Sequence, residues 1–283
     1  MAQLETSGMF QYLKGGLLTP DTGFGLVNSG GLDVNPDPRR RTGIGGNELR
    51  KGGLIATEFN TTFYVTATNQ AFVGYGLRAT YPRSEPAVFQ AEGGTDEWGL
   101  QYVDCMIGEG SLEYSQGEGL RCAISARSMD IGETNGGDMP EETNDDFEDY
   151  EFTLAVGEDY YGITALSVKW NNKVRYSSSG DPKAAGSRRK PLVRRVGLEE
   201  LTVDLTTGRP LPTAMLALWG DHLPNDLTIT AVGDNDTNQV TLPLTRLQPG
   251  KKGHGLVDAD SDAEWKYSFK GSSRSGSLAW QWE

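Results

Sequence analysis

His222 and His254 are the only two histidines of this 283-residue sequence, and so its first candidates for proton transfer or metal binding near neutral pH. Each lies beside glycine-rich sequence. Neither has a second histidine four residues away, the spacing that puts two ligands on one helix face. A solvated loop histidine is the reading this pattern favours. Gly43-Ile44-Gly45-Gly46 falls short of a nucleotide-binding turn, because Glu48 stands where the third glycine belongs and no clear strand precedes it. The sequence contains neither a phosphate loop ending in Gly-Lys-Ser/Thr nor a Gly-x-Ser-x-Gly elbow. Asp258, Asp260 and Asp262 supply oxygens at positions 1, 3 and 5 of a calcium loop. Position 6, however, is Ala263 instead of Gly, and position 12 is Phe269 instead of Glu, so an acidic turn is expected there. The sequence leads to no catalytic residue, no cofactor, no metal site and no enzyme.

Two further residue types need elements to hold them. Carboxylates crowd Asp130–Glu151, with Asp138, Glu141, Glu142, Asp145, Asp146, Glu148 and Asp149 between, and could mimic a glycosidase pair. Like charges at this density repel and read as a solvated linker, whereas an active site needs rigid support. Among the six tryptophans, Trp170, Trp265, Trp280 and Trp282 sit in strand patterns, where burial in a core is expected over a sugar-stacking platform.

The surrounding chain reads as all-β with a minor helix. In 55–65, Ile55, Phe59, Phe63 and Val65 share one face and Glu58, Asn60 and Thr62 the other, the period of two that marks a half-buried strand. Further strands are expected over 100–107, 120–126, 152–156, 163–170, 198–205, 227–232, 240–247, 265–269 and 278–282, separated by turns such as Asn171-Asn172 and Gly233-Asp234-Asn235. One short helix is expected over 212–219, with Pro212 at its start and Gly220 at its end. Residues 1–50, rich in Gly, Pro and Asn, read as an arm and a long loop.

Composition limits the partners. A net charge of −13 argues against binding a phosphate backbone, which needs clustered cations. No run approaches the roughly 20 apolar residues of a membrane helix, and the first residues have no secretory pattern. Cys105 and Cys122 make no disulfide framework and are expected to be reduced in a cytoplasmic compartment.

The two halves of the chain are similar. Arg50-Lys51-Gly52-Gly53-Leu54 resembles Arg194-Arg195-Val196-Gly197-Leu198 at an offset of 144, and the same offset pairs Phe59 with Val203 and Tyr75-Gly76 with Trp219-Gly220. The expected organisation is an arm and first domain over 1–131, an acidic linker over 132–151 and a second domain over 152–283.

Two stretches resemble the tail tube (major tail) proteins of long-tailed, siphovirus-type bacteriophages. One is Ile163–Tyr176, an amphipathic strand with an Asn-centred turn, which leads through a polar basic loop to the strand Val196–Leu205. The other is 226–283, where 240–247 and 262–269 look like that family's closing strands. Gly110–Ser125 resembles the corresponding hairpin in the first half. The resemblance implies tandem tail-tube-type β-sandwich domains whose sheets form a ring-shaped barrel in the oligomer. Rings stacked into a tube would let DNA pass during genome ejection without specific binding, and the net charge of −13 adds the expectation of an acidic lining that repels it. The partners implied are further copies of the chain and other tail proteins at the tube ends; the 144-residue offset then favours a trimer with pseudo-sixfold symmetry over a hexamer. The location implied is the virion tail, assembled in the host cytoplasm, with no membrane partner. Two basic groups are the expected contacts between rings: Arg39, Arg40, Arg41, Arg50 and Lys51, and Arg188, Arg189, Lys190, Arg194 and Arg195. A hub, distal or completion protein of related fold and a carbohydrate-binding adhesin sandwich are the alternatives.

Overall fold

The computed structural model describes the strands named below and the turns at 65–67, 69–70, 72–73, 116–119, 172–173 and 208–211. Most of these residues are strand, which sets the class as all-β. The first half holds β1 (Tyr12–Gly15), β2 (Leu18–Thr22), β3 (Val27–Asn35), β4 (Arg39–Gly43), β5 (Gly46–Arg50), β6 (Ala56–Tyr64), β7 (Phe89–Thr95), β8 (Trp98–Ser115), β9 (Leu120–Ser128) and β10 (Asp130–Thr134). The second holds β11 (Glu151–Val156), β12 (Asp159–Asn171), β13 (Val174–Ser178), β14 (Pro191–Arg195), β15 (Glu200–Thr207), β16 (Leu227–Asp234), β17 (Gln239–Gly255), β18 (Glu264–Gly271) and β19 (Gln281–Trp282).

Eight of these strands form a curled antiparallel sheet in the order β3-β6-β9-β8-β12-β15-β18-β17. Period-two alternation gives it one apolar and one polar face. In β15, Leu201, Val203, Leu205 and Thr207 are buried between the more exposed Glu200, Thr202, Asp204 and Thr206. The sheet curls because its long strands bend at bulges. β8 pairs with β7 and β10 through its first residues and with β9 and β12 through its last, with a register shift between Ile107 and Glu109. β17 behaves likewise, shifting between Pro249 and Lys252. Each long strand thus belongs to two layers, giving a β-sandwich-like fold with its core between them. Tyr114 on the long sheet meets Phe152 of β11 at 4.6 Å between ring centroids. Phe152, Leu154, Ala231 and Leu242 join Val168, Val203 and Phe269 in one apolar cluster.

The expected arm over residues 1–50 is corrected, because β1 to β5 occupy much of it. Glycine and asparagine disfavour strands locally, but a long partner decides the outcome: β3 pairs with β6 along nearly its whole length. β4 and β5 pair antiparallel from Arg39↔Arg50 to Gly43↔Gly46. The expected linker is corrected at both margins too, since β10 reaches Thr134 and β11 starts at Glu151; 135–150 lie outside the described residues. The helix expected over 212–219 lies outside them as well. Helical residues occur instead at Gln70, Phe72 and Val73. There the Thr66 N–H donates to Asn69 Oδ1 (2.8 Å), and the Asn69 N–H donates to Thr66 Oγ1 (3.4 Å), a reciprocal cap.

The pairings of the first half recur in the second. β1–β2, β1–β7, β7–β8, β8–β9, β8–β10, β9–β6, β6–β3 and β4–β5 correspond to β11–β12, β11–β16, β16–β17, β17–β18, β17–β19, β18–β15, β15–β12 and β13–β14. Irregularities recur with them: Val27/Ser29 in β3 matches Ile163/Ala165 in β12, and Phe89/Ala91 in β7 matches Leu227/Ile229 in β16. β6 and β15 start at Ala56 and Glu200, the 144-residue offset of the sequence match. Among the described residues, one pairing has no counterpart in the other half. It is β8 with β12, the seam that makes a single sheet of the two halves.

Candidate functional site

The polar face of the long sheet is hollowed. Two shallow depressions lie side by side across the seam. One, of about 620 Å³, has Glu113, Arg121, Ser167, Asp204, Lys266 and Ser268 among its lining residues. The other, of about 570 Å³, is bordered by Asn60, Glu109, Ser125, Lys169, Asn171 and Glu200. Between the charges stand small side chains, including Thr62, Ser111, Ala123, Ala165 and Thr202. The chain's net negative charge is not gathered here. Among the described residues this face carries Glu58, Glu109, Glu113, Glu200, Asp204 and Glu264 against Arg121, Arg127, Lys169, Lys266 and Lys270. Several are paired locally: Arg127 with Glu58 at 2.7 Å, Lys266 with Glu264 at 3.2 Å and Arg121 with Glu118 at 3.3 Å. Exposed pairs of this kind contribute only about 0–1 kcal/mol each. Their effect is to offset charge locally, so the described residues of this face carry nearly equal numbers of acidic and basic side chains.

The seam has its own construction. β8 and β12 pair from Ser115↔Ala165 to Glu109↔Asn171. Trp170 lies directly over its partner Gly110, where a Cβ would come within 2.1 Å of the indole ring. A glycine facing an aromatic in this way fills its missing side chain with the neighbour's ring. Beyond the last pair, the chain turns through Asn172 and Lys173, the latter at φ 47°. The Lys173 N–H donates to Asn171 Oδ1 at 2.7 Å, which holds that left-handed turn. Asn172 is buried and reaches back across the seam. Its backbone N–H donates to Gly108 O at 2.6 Å and its Nδ2 to Ile107 O at 3.0 Å, at the bulge of β8. Arg127 Nη1 donates to Val174 O at 2.6 Å and Asn171 Nδ2 to Glu109 Oε1 at 2.9 Å. Lys173 also pairs with Glu200. The bulge that bends β8 therefore presents the carbonyls that anchor the second half. The sequence presents Asn172 only as a turn residue and Gly110 only as the start of a hairpin, so neither is legible there as part of a seam.

The expected contact residues divide in the structure. Arg39, Arg40 and Arg41 lie on β4 and Arg50 on β5, with Arg39 opposite Arg50. Arg194 and Arg195 lie on β14, opposite Arg175 and Val174 of β13. These six are therefore strand residues of two matching hairpins and not loop residues. Lys51, Arg188, Arg189 and Lys190 lie outside the described residues, as do His222, Asp258–Asp262 and Trp280. His254, expected in a loop, lies on β17 opposite Trp265. Trp170 is buried, and Trp265 packs partly buried against the core. Cys122 is buried with a free thiol, and burial pushes its pKa well up. Among the described residues, no three His, Cys, Asp or Glu side chains are placed to hold a metal ion.

No protein-family model matches this sequence, and no curated protein matches it either.

Proposed function

We propose that this chain is a non-enzymatic structural subunit that joins edge to edge with its own copies into a ring, and that the rings stack as the tube of a bacteriophage tail. The observation that carries the reading is the long sheet, whose eight antiparallel strands run unbroken through both halves, curled with a polar hollow on one face and the apolar core on the other. A curled sheet with two open edges is an incomplete barrel, and closing it removes edges that would otherwise invite uncontrolled pairing. The recurrence of pairings supports two tandem domains of tail-tube type, and closed symmetry then favours three chains per ring in a pseudo-sixfold arrangement. The hollow face becomes the lumen. Small polar side chains and balanced charge there offer a passing polyanion neither a cationic binding track nor strong repulsion.

Electron microscopy of the purified chain at rising concentration tests the proposal. Hollow rings and stacked tubes are expected without added metal or cofactor. A compact monomer at every concentration and ionic strength overturns it.

A further inference from the structure

We infer that β17 of one chain pairs with β3 of a second copy in the register that β8 adopts with β12 inside the chain, and that a reversed pair of charges selects this partner. The inference rests on the ring reading and adds to it the edges, the register and the means of selection.

Two alignments give the register. β3 and the later part of β12 lie on equivalent strands: Asn35↔Ala56 corresponds to Asn171↔Glu200, and Val27↔Phe63 to Ile163↔Thr207, with the bulge at the same place. β17 and β8 are likewise equivalent: Pro249↔Phe269 corresponds to Ile107↔Ala126, and Gly253↔Lys266 to Ser111↔Ala123, again across matching bulges. Each alignment keeps a constant offset, 35 to 171 for the one and 111 to 253 for the other. Among the described residues, β3 pairs only with β6, and residues 248–255 of β17 only with β18, so each keeps one edge open. The open edges are those that β12 and β8 join at the seam.

Carrying the seam over by these offsets places Lys251 opposite Asn35, Lys252 opposite Val34, Gly253 opposite Asp33, His254 opposite Leu32 and Gly255 opposite Gly31. In the internal seam, Glu109 of β8 stands diagonal to Lys169 of β12, since Glu109 faces Asn171 and Ser111 faces Lys169. The equivalent positions of the outer edges are Lys251 and Asp33. The diagonal is again one carboxylate and one cation, but with the signs exchanged between strands. Diagonal neighbours lie within reach of long side chains, and like charges there are unfavourable. A β17 edge displacing β8 would set Lys251 beside Lys169, and a β3 edge displacing β12 would set Asp33 beside Glu109. Each outer edge is therefore matched to the other and mismatched to the internal seam, which is specificity through repulsion as well as attraction.

Disulfide trapping in the full chain tests the register. Directly opposed strand residues have Cα atoms close enough for a disulfide. The chain carrying Leu32→Cys and His254→Cys is expected to cross-link between copies under mild oxidation. The chain carrying Leu32→Cys and Lys252→Cys, two residues out of register, and the unaltered chain are expected not to. A charge-reversal cycle gives a second readout: Asp33→Lys or Lys251→Glu alone raises the concentration needed for rings by about two- to fivefold per seam, and the two together restore it. Rings that form but cross-link only at the shifted pair, or that ignore the charge reversals, overturn the inference while leaving the ring. A chain that never leaves the monomer overturns both.

Discussion

Gly110 is the residue on which the seam depends most directly, because Trp170 occupies the space of its absent side chain. Gly110→Ala is expected to lower unfolding stability by about 2 kcal/mol or more through overpacking. Gly208→Ala, which meets nothing within 4 Å, is expected to be neutral or to stabilise by up to about 1 kcal/mol. Denaturant melts of the two variants check the contrast, and equal effects would contradict the geometry. Two other residues fix a pH dependence. Burial raises the pKa of the Cys122 thiol, and burial also raises that of Tyr267, opposed in part by the Leu211 N–H bonded to its hydroxyl. A raised folded-state pKa means that the folded chain holds its proton more tightly than the unfolded one. The associated stability is complete below the unfolded-state pKa, about 8.5 for a thiol and 10 for a phenol, and is lost as pH rises above it. The unfolding midpoint should therefore fall above about pH 8.5, and Cys122→Ala should make the fall shallower between pH 8.5 and 10. An unchanged slope would remove the thiol from the account.

Among the elements, the matching hairpins β4–β5 and β13–β14 carry Arg39, Arg40, Arg41, Arg50, Arg194 and Arg195, six of the ten cations proposed to meet acidic surface on a stacked ring; Arg188, Arg189 and Lys190 lie outside the described residues. Replacing Arg188, Arg189 and Lys190 with Ser should weaken tube growth more at low salt than at high salt, because attraction between charges on facing rings is screened as ionic strength rises. Unchanged growth at both salt levels would separate these cations from stacking. How far elements were legible in the sequence follows from where their information lies. The strand at 56–64 alternates Phe59 and Phe63 with Asn60 and Thr62, so its periodicity announces it. β3, reading Val-Asn-Ser-Gly-Gly-Leu-Asp-Val-Asn, has little strand propensity and exists through β6, a partner no local window contains. The bulges were invisible for the same reason, since a register shift is a property of two strands. The polar face could be read from alternation, but its charge balance could not, because a net charge of −13 says nothing about how charges are divided among faces.

For the whole molecule, the proposed ring carries a symmetry that can be measured. A ring is expected to contain three chains and to show approximate sixfold features in cross-section, with exact threefold symmetry beneath them. Native mass measurement of an isolated ring checks the number, and six identical chains would refute the tandem arrangement while leaving a tube possible. The β8–β12 seam then has a kinetic consequence. In a ring of three chains, half of the edge-to-edge joints form within a polypeptide, where the tether holds the two edges at an effective concentration in the millimolar range or above. Those joints close as the chain folds and do not depend on how much protein the cell has made. Only the remaining three require collision between molecules. Ring closure should consequently show a lower reaction order in protein than a ring built from six separate halves, and subunit loss should release two-domain units and never a single half.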